Sequence, residues 1–124
     1  MVTHSDHLKK ILGHVLDSYH ILKEFEDKPG DLDRIKIELL KINGFLKVVT
    51  NKIDTSLIQL SDYKILKSKF QHYLENYYFE KEIKTMEPLY FDDLSRVKNM
   101  RLKILEALEG KHMMELTKDL HQML

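Results

Sequence analysis

A chain of 124 residues, 43% of them hydrophobic and 32% charged, has the length of one ordinary domain and the make-up of a folded protein rather than a disordered one. Twenty acidic residues balance twenty basic ones, which argues against a dedicated nucleic-acid binder and against a helix built for anionic membranes. The absence of cysteine excludes disulfides, thiolate metal sites and a cysteine nucleophile.

The first predicted helix runs from about Thr3 to Asp27, capped by Thr3 or Ser5. Leu8, Leu12, Val15, Tyr19 and Leu22 recur along it at alternating steps of four and three, with Ile11 and Phe25 widening the stripe. Lys28-Pro29-Gly30 closes it, and Asp31 caps the second helix. There Leu32, Ile35, Leu39, Ile42, Leu46, Val49 and Ile53 follow without a slip, the most regular pattern in the chain. Asn43-Gly44 reads locally as a hairpin turn. The stripe keeps its phase across it, so a single helix is expected, at a cost of roughly 1 kcal/mol for Gly44.

Thr55 to Ser61 is the expected connection, with Leu57, Ile58 and Leu60 turned inward. Ser61 or Asp62 caps the third helix, whose stripe is Tyr63, Leu66, Phe70, Tyr73 and Tyr77. The stripe then jumps to Phe79, Ile83, Met86 and Tyr90, so the far end of this helix is expected to meet a different neighbour before Pro88 ends it. The fourth helix spans about Asp92 to Glu109, facing inward with Leu94, Val97, Met100, Ile104, Leu105 and Leu108, and Gly110 is its expected C′ residue. A last short helix, Lys111 to about Met123, presents Met113, Leu116, Leu120 and Met123, or else continues the fourth. Four or five amphipathic helices with short connections predict an all-α fold, an antiparallel up-and-down bundle forming one domain over residues 1–124.

The polar start, Met1 to Asp6, has no apolar core of the secretory kind, and no apolar run reaches the ~20 residues that cross a bilayer. The expected location is the cytoplasm, with neither membrane nor nucleic acid among the partners. No phosphate-binding glycine loop, zinc-protease helix or nucleophile elbow is present, so no catalytic residue, metal ligand or cofactor is assigned.

Three features could carry function. The second helix has a smaller apolar line, Ile37, Leu40 and Val48 with Gly44 between, roughly opposite its main stripe. A helix apolar on two sides is either central to its fold or offers one side to another chain. Tyr78 and Phe79 sit in an aromatic-rich run where the third stripe drifts, and tyrosines suit interfaces because ring and hydroxyl tolerate both environments. Arg101 falls inside the apolar arc of the fourth helix, where a long cation must snorkel, pair with a carboxylate along a helix seam or anchor an acidic partner. Ile37, Leu40, Val48, Tyr78, Phe79 and Arg101 are therefore the candidate partner-binding residues.

The expected function is a non-enzymatic helical interaction module, such as a small regulator, adaptor, immunity factor or chaperone. It would bind a partner protein, or itself as a homodimer, through an apolar helix face. The alternative is a metal-binding or phosphotransfer bundle. His14 with Asp17, His72 with Glu75 and His112 with Glu115 share the i, i+3 spacing that places both side chains on one helix face. His20-Ile21-Leu22-Lys23 resembles, over four residues, the phospho-accepting helix of histidine phosphotransfer domains, which would make His20 the accepting residue. Glu24 stands where that family has a small residue, and Pro29 ends the helix early.

Overall fold

Apolar residues at steps of three and four leave a helix with one oily face, and that face is buried only by lying against others of its kind. The computed structural model describes the backbone of residues 4–55 and 61–123 and the side chains of 6–52 and 62–123. It contains α1 (His4–Lys23), α2 (Asp31–Thr55), α3 (Ser61–Asn76), α4 (Glu80–Tyr90), α5 (Leu94–Glu109) and α6 (Met113–Met123), with a single 3-10 turn at Gly110–His112. The protein is an all-α helical bundle, as its periodicity predicts. The expected Thr3 or Ser5 cap, the Ile53 end of the α2 stripe, the Ser61 cap and the inward turn of Leu57, Ile58 and Leu60 lie outside the described residues.

Among the described residues the six helices make four rods. α1 and α2 are each continuous; α3 and α4 form the third rod, α5 and α6 the fourth. Toward one end, α1, α2, α3 and α6 close a ring of neighbours; toward the other, α1, α2, α4 and α5 do so. The core is the predicted one along α1 and α2. Leu8, Leu12, Val15, Tyr19 and Leu22 meet Leu32, Ile35, Leu39, Ile42, Leu46 and Val49, all buried. Tyr63, Leu66, Phe70, Tyr73 and Ile83 close it from the third rod, and Val97, Ile104, Leu108, Met113 and Leu120 from the fourth. Leu94 and Met123, expected to face inward, are exposed instead. Each sits at a helix terminus, where the packing neighbour runs out.

The third rod departs most from expectation. One helix to Pro88 was predicted; the rod breaks at Tyr77–Phe79, where Tyr78 (φ 57°) and Phe79 (φ 62°) both take the left-handed conformation. Pro88 then lies inside α4, which runs on to Tyr90. The fourth rod breaks in the same manner. Gly110, the expected left-handed residue, is extended (φ −61°, ψ 145°), and Lys111 (φ 54°) and His112 (φ 58°) are left-handed instead. Left-handed backbone at residues with a side chain costs roughly 1–2 kcal/mol each, so both breaks must be held by contacts elsewhere.

Asn43 holds the first of them. It is buried mid-way along α2, and its amide donates to the Tyr78 carbonyl (2.8 Å) and to Glu80 Oε2 (2.9 Å). Its Oδ1 accepts the Tyr73 hydroxyl (2.9 Å). One side chain thus ties the end of α3, the break and the first turn of α4. The polar residue that reads as a turn signal is a cross-link, and α2 runs straight through it.

Burial pushes the Tyr73 phenol well above its ordinary pKa, helped by the nearby Glu80 charge. Tyr19 is raised too, by burial and then by its hydrogen bond to Glu109 Oε1 (2.7 Å), which ties α1 to the end of α5. Each phenol is favoured as the neutral form in the fold. The stability this represents is complete below the ordinary value of 10.0 and is lost as pH rises beyond it. Tyr63 is raised as well, by burial and then by the Asp62 charge, so a spectrophotometric alkaline titration should show at least Tyr19 and Tyr73 of the six tyrosines ionising only as the helices melt. Six tyrosines titrating together in a chain that keeps its helical dichroism would contradict these contacts.

Candidate functional site

The outer face of α2 is built by the same periodicity that builds its core. Ile37, Leu40, Gly44 and Val48 fall on a line about half a turn from the Leu39–Ile42–Leu46 seam. Nothing in the described chain covers them: Ile37 is 52% exposed, Leu40 44% and Val48 40%. Gly44 lies in the middle of the line, and a Cβ added there would meet no atom within 4 Å.

A groove flanks this ridge on each side. Between α2 and α4 lies one of about 560 Å³, floored by Leu39, Leu40, Ile83 and Pro88 and crossed by the Lys36–Glu87 ion pair (2.7 Å). Lys81 and Lys84 stand on its α4 rim. Between α1 and α2 lies a second, of about 450 Å³, lined by Ile21, Phe25, Arg34, Ile37 and Glu38. Glu38 is buried at its edge. One carboxylate oxygen reaches Lys41 (3.3 Å), and the other is buried without a hydrogen-bond partner among the described residues.

The six candidate residues do not converge. Ile37, Leu40 and Val48 share the α2 ridge. Tyr78 is half-buried beside it, its hydroxyl accepting from Lys47 (2.8 Å) and its ring lying under that ammonium (4.7 Å). Lys47 is accordingly raised above the ordinary lysine pKa, chiefly by that hydrogen bond. Phe79 and Arg101 are buried and lie apart from the α2 ridge, which corrects their assignment as partner-binding residues. Phe79 turns its ring inward beside Tyr73 because the left-handed break redirects the chain. Arg101 is spent inside the chain. Its guanidinium donates from Nε to Asp27 Oδ1 (3.2 Å), from Nη2 to Asp27 Oδ2 (3.4 Å) and from Nη1 to the Leu22 carbonyl (3.1 Å).

The histidines are dispersed. His14 is exposed and stacks on Phe45 (centroids 5.2 Å, 18° between planes), His20 is exposed beside Tyr19, and His72 is half-buried on α3. His112 meets Glu115 at 3.0 Å on open surface. Among the described residues no three His, Asp or Glu side chains converge as metal ligands would. Among the same residues no helix is long and apolar enough to cross a membrane.

Sequence reasoning missed the consequence of the two rod breaks. They lie side by side and open a cleft of about 390 Å³ between α3, α5 and the Gly110–His112 turn. The drift of the α3 stripe after Tyr77 was the available signal for one wall. The other wall had none, because the residue that marks a left-handed turn in sequence, glycine, is not the residue that makes it here. No family model matches this chain, and no curated protein or solved structure is significantly similar to it. Geometry alone therefore carries the functional argument.

Proposed function

We propose that this protein is a non-enzymatic helical interaction module that binds through the outer face of α2, and that its simplest partner is the same face of a second copy. The carrying observation is the uncovered line Ile37, Leu40, Gly44 and Val48. An exposed glycine inside a helix costs roughly 0.5–1 kcal/mol against alanine, and here no neighbour within the chain needs the space. A second helix crossing at Gly44 would need it, since only there can two backbones approach closely, with Leu40 and Val48 packing on either side of the crossing. The glycine lies centrally on this line, which suits a two-fold crossing, where the residue on the axis meets its own copy and those on either side exchange contacts.

The test is mass against concentration, by size exclusion with light scattering. The parent chain is expected to dimerise as concentration rises, and Ile37→Asp/Leu40→Asp to remain monomeric with unchanged helical dichroism. Gly44→Ala separates folding from binding. It is expected to raise monomer stability by roughly 0.5–1 kcal/mol while weakening the dimer. A parent chain that stays monomeric throughout, or a dimer indifferent to these substitutions, would remove the proposal.

A further inference from the structure

The cleft between the two rod breaks is cationic, aromatic and distinct from the α2 ridge. Lys69 comes from α3, Lys103 from α5 and Lys111 from the 3-10 turn, with Glu106 the one carboxylate among the lining residues. Lys69 Nζ donates to the Lys111 carbonyl, and Lys111 Nζ lies 3.4 Å from His72 Nε2. None of the three lysines has a carboxylate in ion-pair reach among the described residues. Lys69, His72 and Lys111 also wall an adjoining open hollow of about 400 Å³, which adds Lys64. Three lysines against one carboxylate among the lining residues leave a surplus of two positive charges around a partly enclosed space, where charges interact more strongly than in open water.

The other wall is flat and apolar. Tyr77, 45% exposed, stacks on Phe79 (centroids 6.0 Å, 25°) and stands edge-on to His72 (6.0 Å, 71°). Beneath it the lining is Tyr73, Ala107 and Met113. Such a wall accepts a planar ring of almost any identity, since every aromatic has a π face. The lysines narrow the anion. A flat carboxylate is best met by the arginine fork, and all three arginines lie elsewhere: Arg34 beside Asp31, Arg96 beside Asp93, Arg101 on Asp27. Several lysines around one cavity suit a tetrahedral phosphate, and a phosphate monoester carries about −1.5 to −2 at neutral pH, matching the surplus. The volume also lies in the ordinary range for small-molecule sites.

We propose that this cleft binds a small aromatic phosphate of the mononucleotide class, its ring against Tyr77 and its phosphate among Lys69, Lys103 and Lys111. The left-handed residues are then what the site requires. Tyr78 and Phe79 swing the aromatic wall out of the α3 line, and Lys111 and His112 let the fourth rod step aside, so that the two rods part where unbroken helices would have closed on each other.

The experiment is an NMR titration of isotope-labelled protein with adenosine 5′-monophosphate, and separately with adenosine and with inorganic phosphate. The nucleotide is expected to shift resonances within 69–79 and 103–113, the His72 imidazole among them, with a Kd on the order of 0.1–1 mM that weakens as salt rises. Lys103→Gln/Lys111→Gln and, separately, Tyr77→Ser are each expected to weaken it about tenfold or more. All these positions are exposed, and the helical dichroism of each variant checks that the fold is intact. No shift in these segments at millimolar nucleotide, or shifts unchanged in both variants, would overturn the site. Inorganic phosphate binding as tightly as the nucleotide would overturn the ring seat, and adenosine binding as tightly would overturn the phosphate cradle.

Discussion

Replacing Asn43 with leucine is expected to lower the free energy of unfolding by about 3 kcal/mol, although leucine is the better helix former and the position is buried. The loss comes from three partners at once. The Tyr73 hydroxyl, itself almost fully buried, keeps a donor with nowhere to go; the Tyr78 carbonyl loses its side-chain donor; and Glu80 loses the amide that holds it at the start of α4. Each buried hydrogen bond contributes about 0.5–1.5 kcal/mol, and stranding a buried polar group costs about 1–3. Denaturant unfolding followed by circular dichroism reads the total. A second signature separates this account from a generic core defect. Without Asn43 the Tyr78 carbonyl keeps the Glu80 N–H (2.9 Å) but loses its tie to α2, so amide exchange should quicken first at Tyr77 to Ile83 and only later along α1. Asn43→Asp keeps the acceptor for Tyr73 but faces Glu80 and the Tyr78 carbonyl with a charge and no donor, and it should be at least as damaging. An Asn43→Leu chain as stable as the parent would show that the break is held by something else.

That residue also shows where sequence reasoning succeeds and where it stops. Helix periodicity is local, so the stripe of α2 was legible residue by residue, and so was its opposite line: Ile37, Leu40 and Val48 lie where a helical wheel puts them. The continuity of α2 through Asn43-Gly44 was legible too, because a phase that does not slip is stronger information than a dipeptide preference. What Asn43 does was not legible, since its partners lie 30 to 37 positions away on a rod whose break is itself a tertiary effect. The breaks were hidden for a related reason. The local markers of left-handed backbone are glycine and asparagine, whereas this chain uses Tyr78, Phe79, Lys111 and His112 and leaves Gly110 extended. Phe79 was accordingly named as a partner-binding residue as well as a member of the drifting stripe, and the structure keeps only its place on the stripe. The α2 ridge, which needs only a helix, was within reach of the sequence; the cationic cleft, which needs two breaks to coincide in space, was not.

Arg101 was legible as an anomaly but not as a solution, and its solution predicts an unequal pair of substitutions. Its guanidinium is buried and shared between the Asp27 carboxylate and the Leu22 carbonyl in the last turn of α1. It thereby satisfies an acceptor that the helix itself leaves unpaired and places a cation at the negative end of the helix dipole. Asp27 stands in the following loop with φ 59°, a conformation that aspartate tolerates better than most residues. Its side chain is 27% exposed against 9% for Arg101. Removing the carboxylate charge with Asp27→Asn leaves a buried cation without its counter-ion and is expected to cost about 2–3 kcal/mol, at or below the range for breaking a fully buried pair. Removing the cation with Arg101→Met keeps the packed stem and leaves a carboxylate that water can reach, so about 1 kcal/mol is expected. The double variant should resemble Arg101→Met alone rather than the sum, since the first change removes the charge that makes the second costly. Urea titrations of the four chains decide the matter. The opposite ranking, with Asp27→Asn nearly neutral, would mean that the Leu22 carbonyl and not the Asp27 charge holds Arg101 in place.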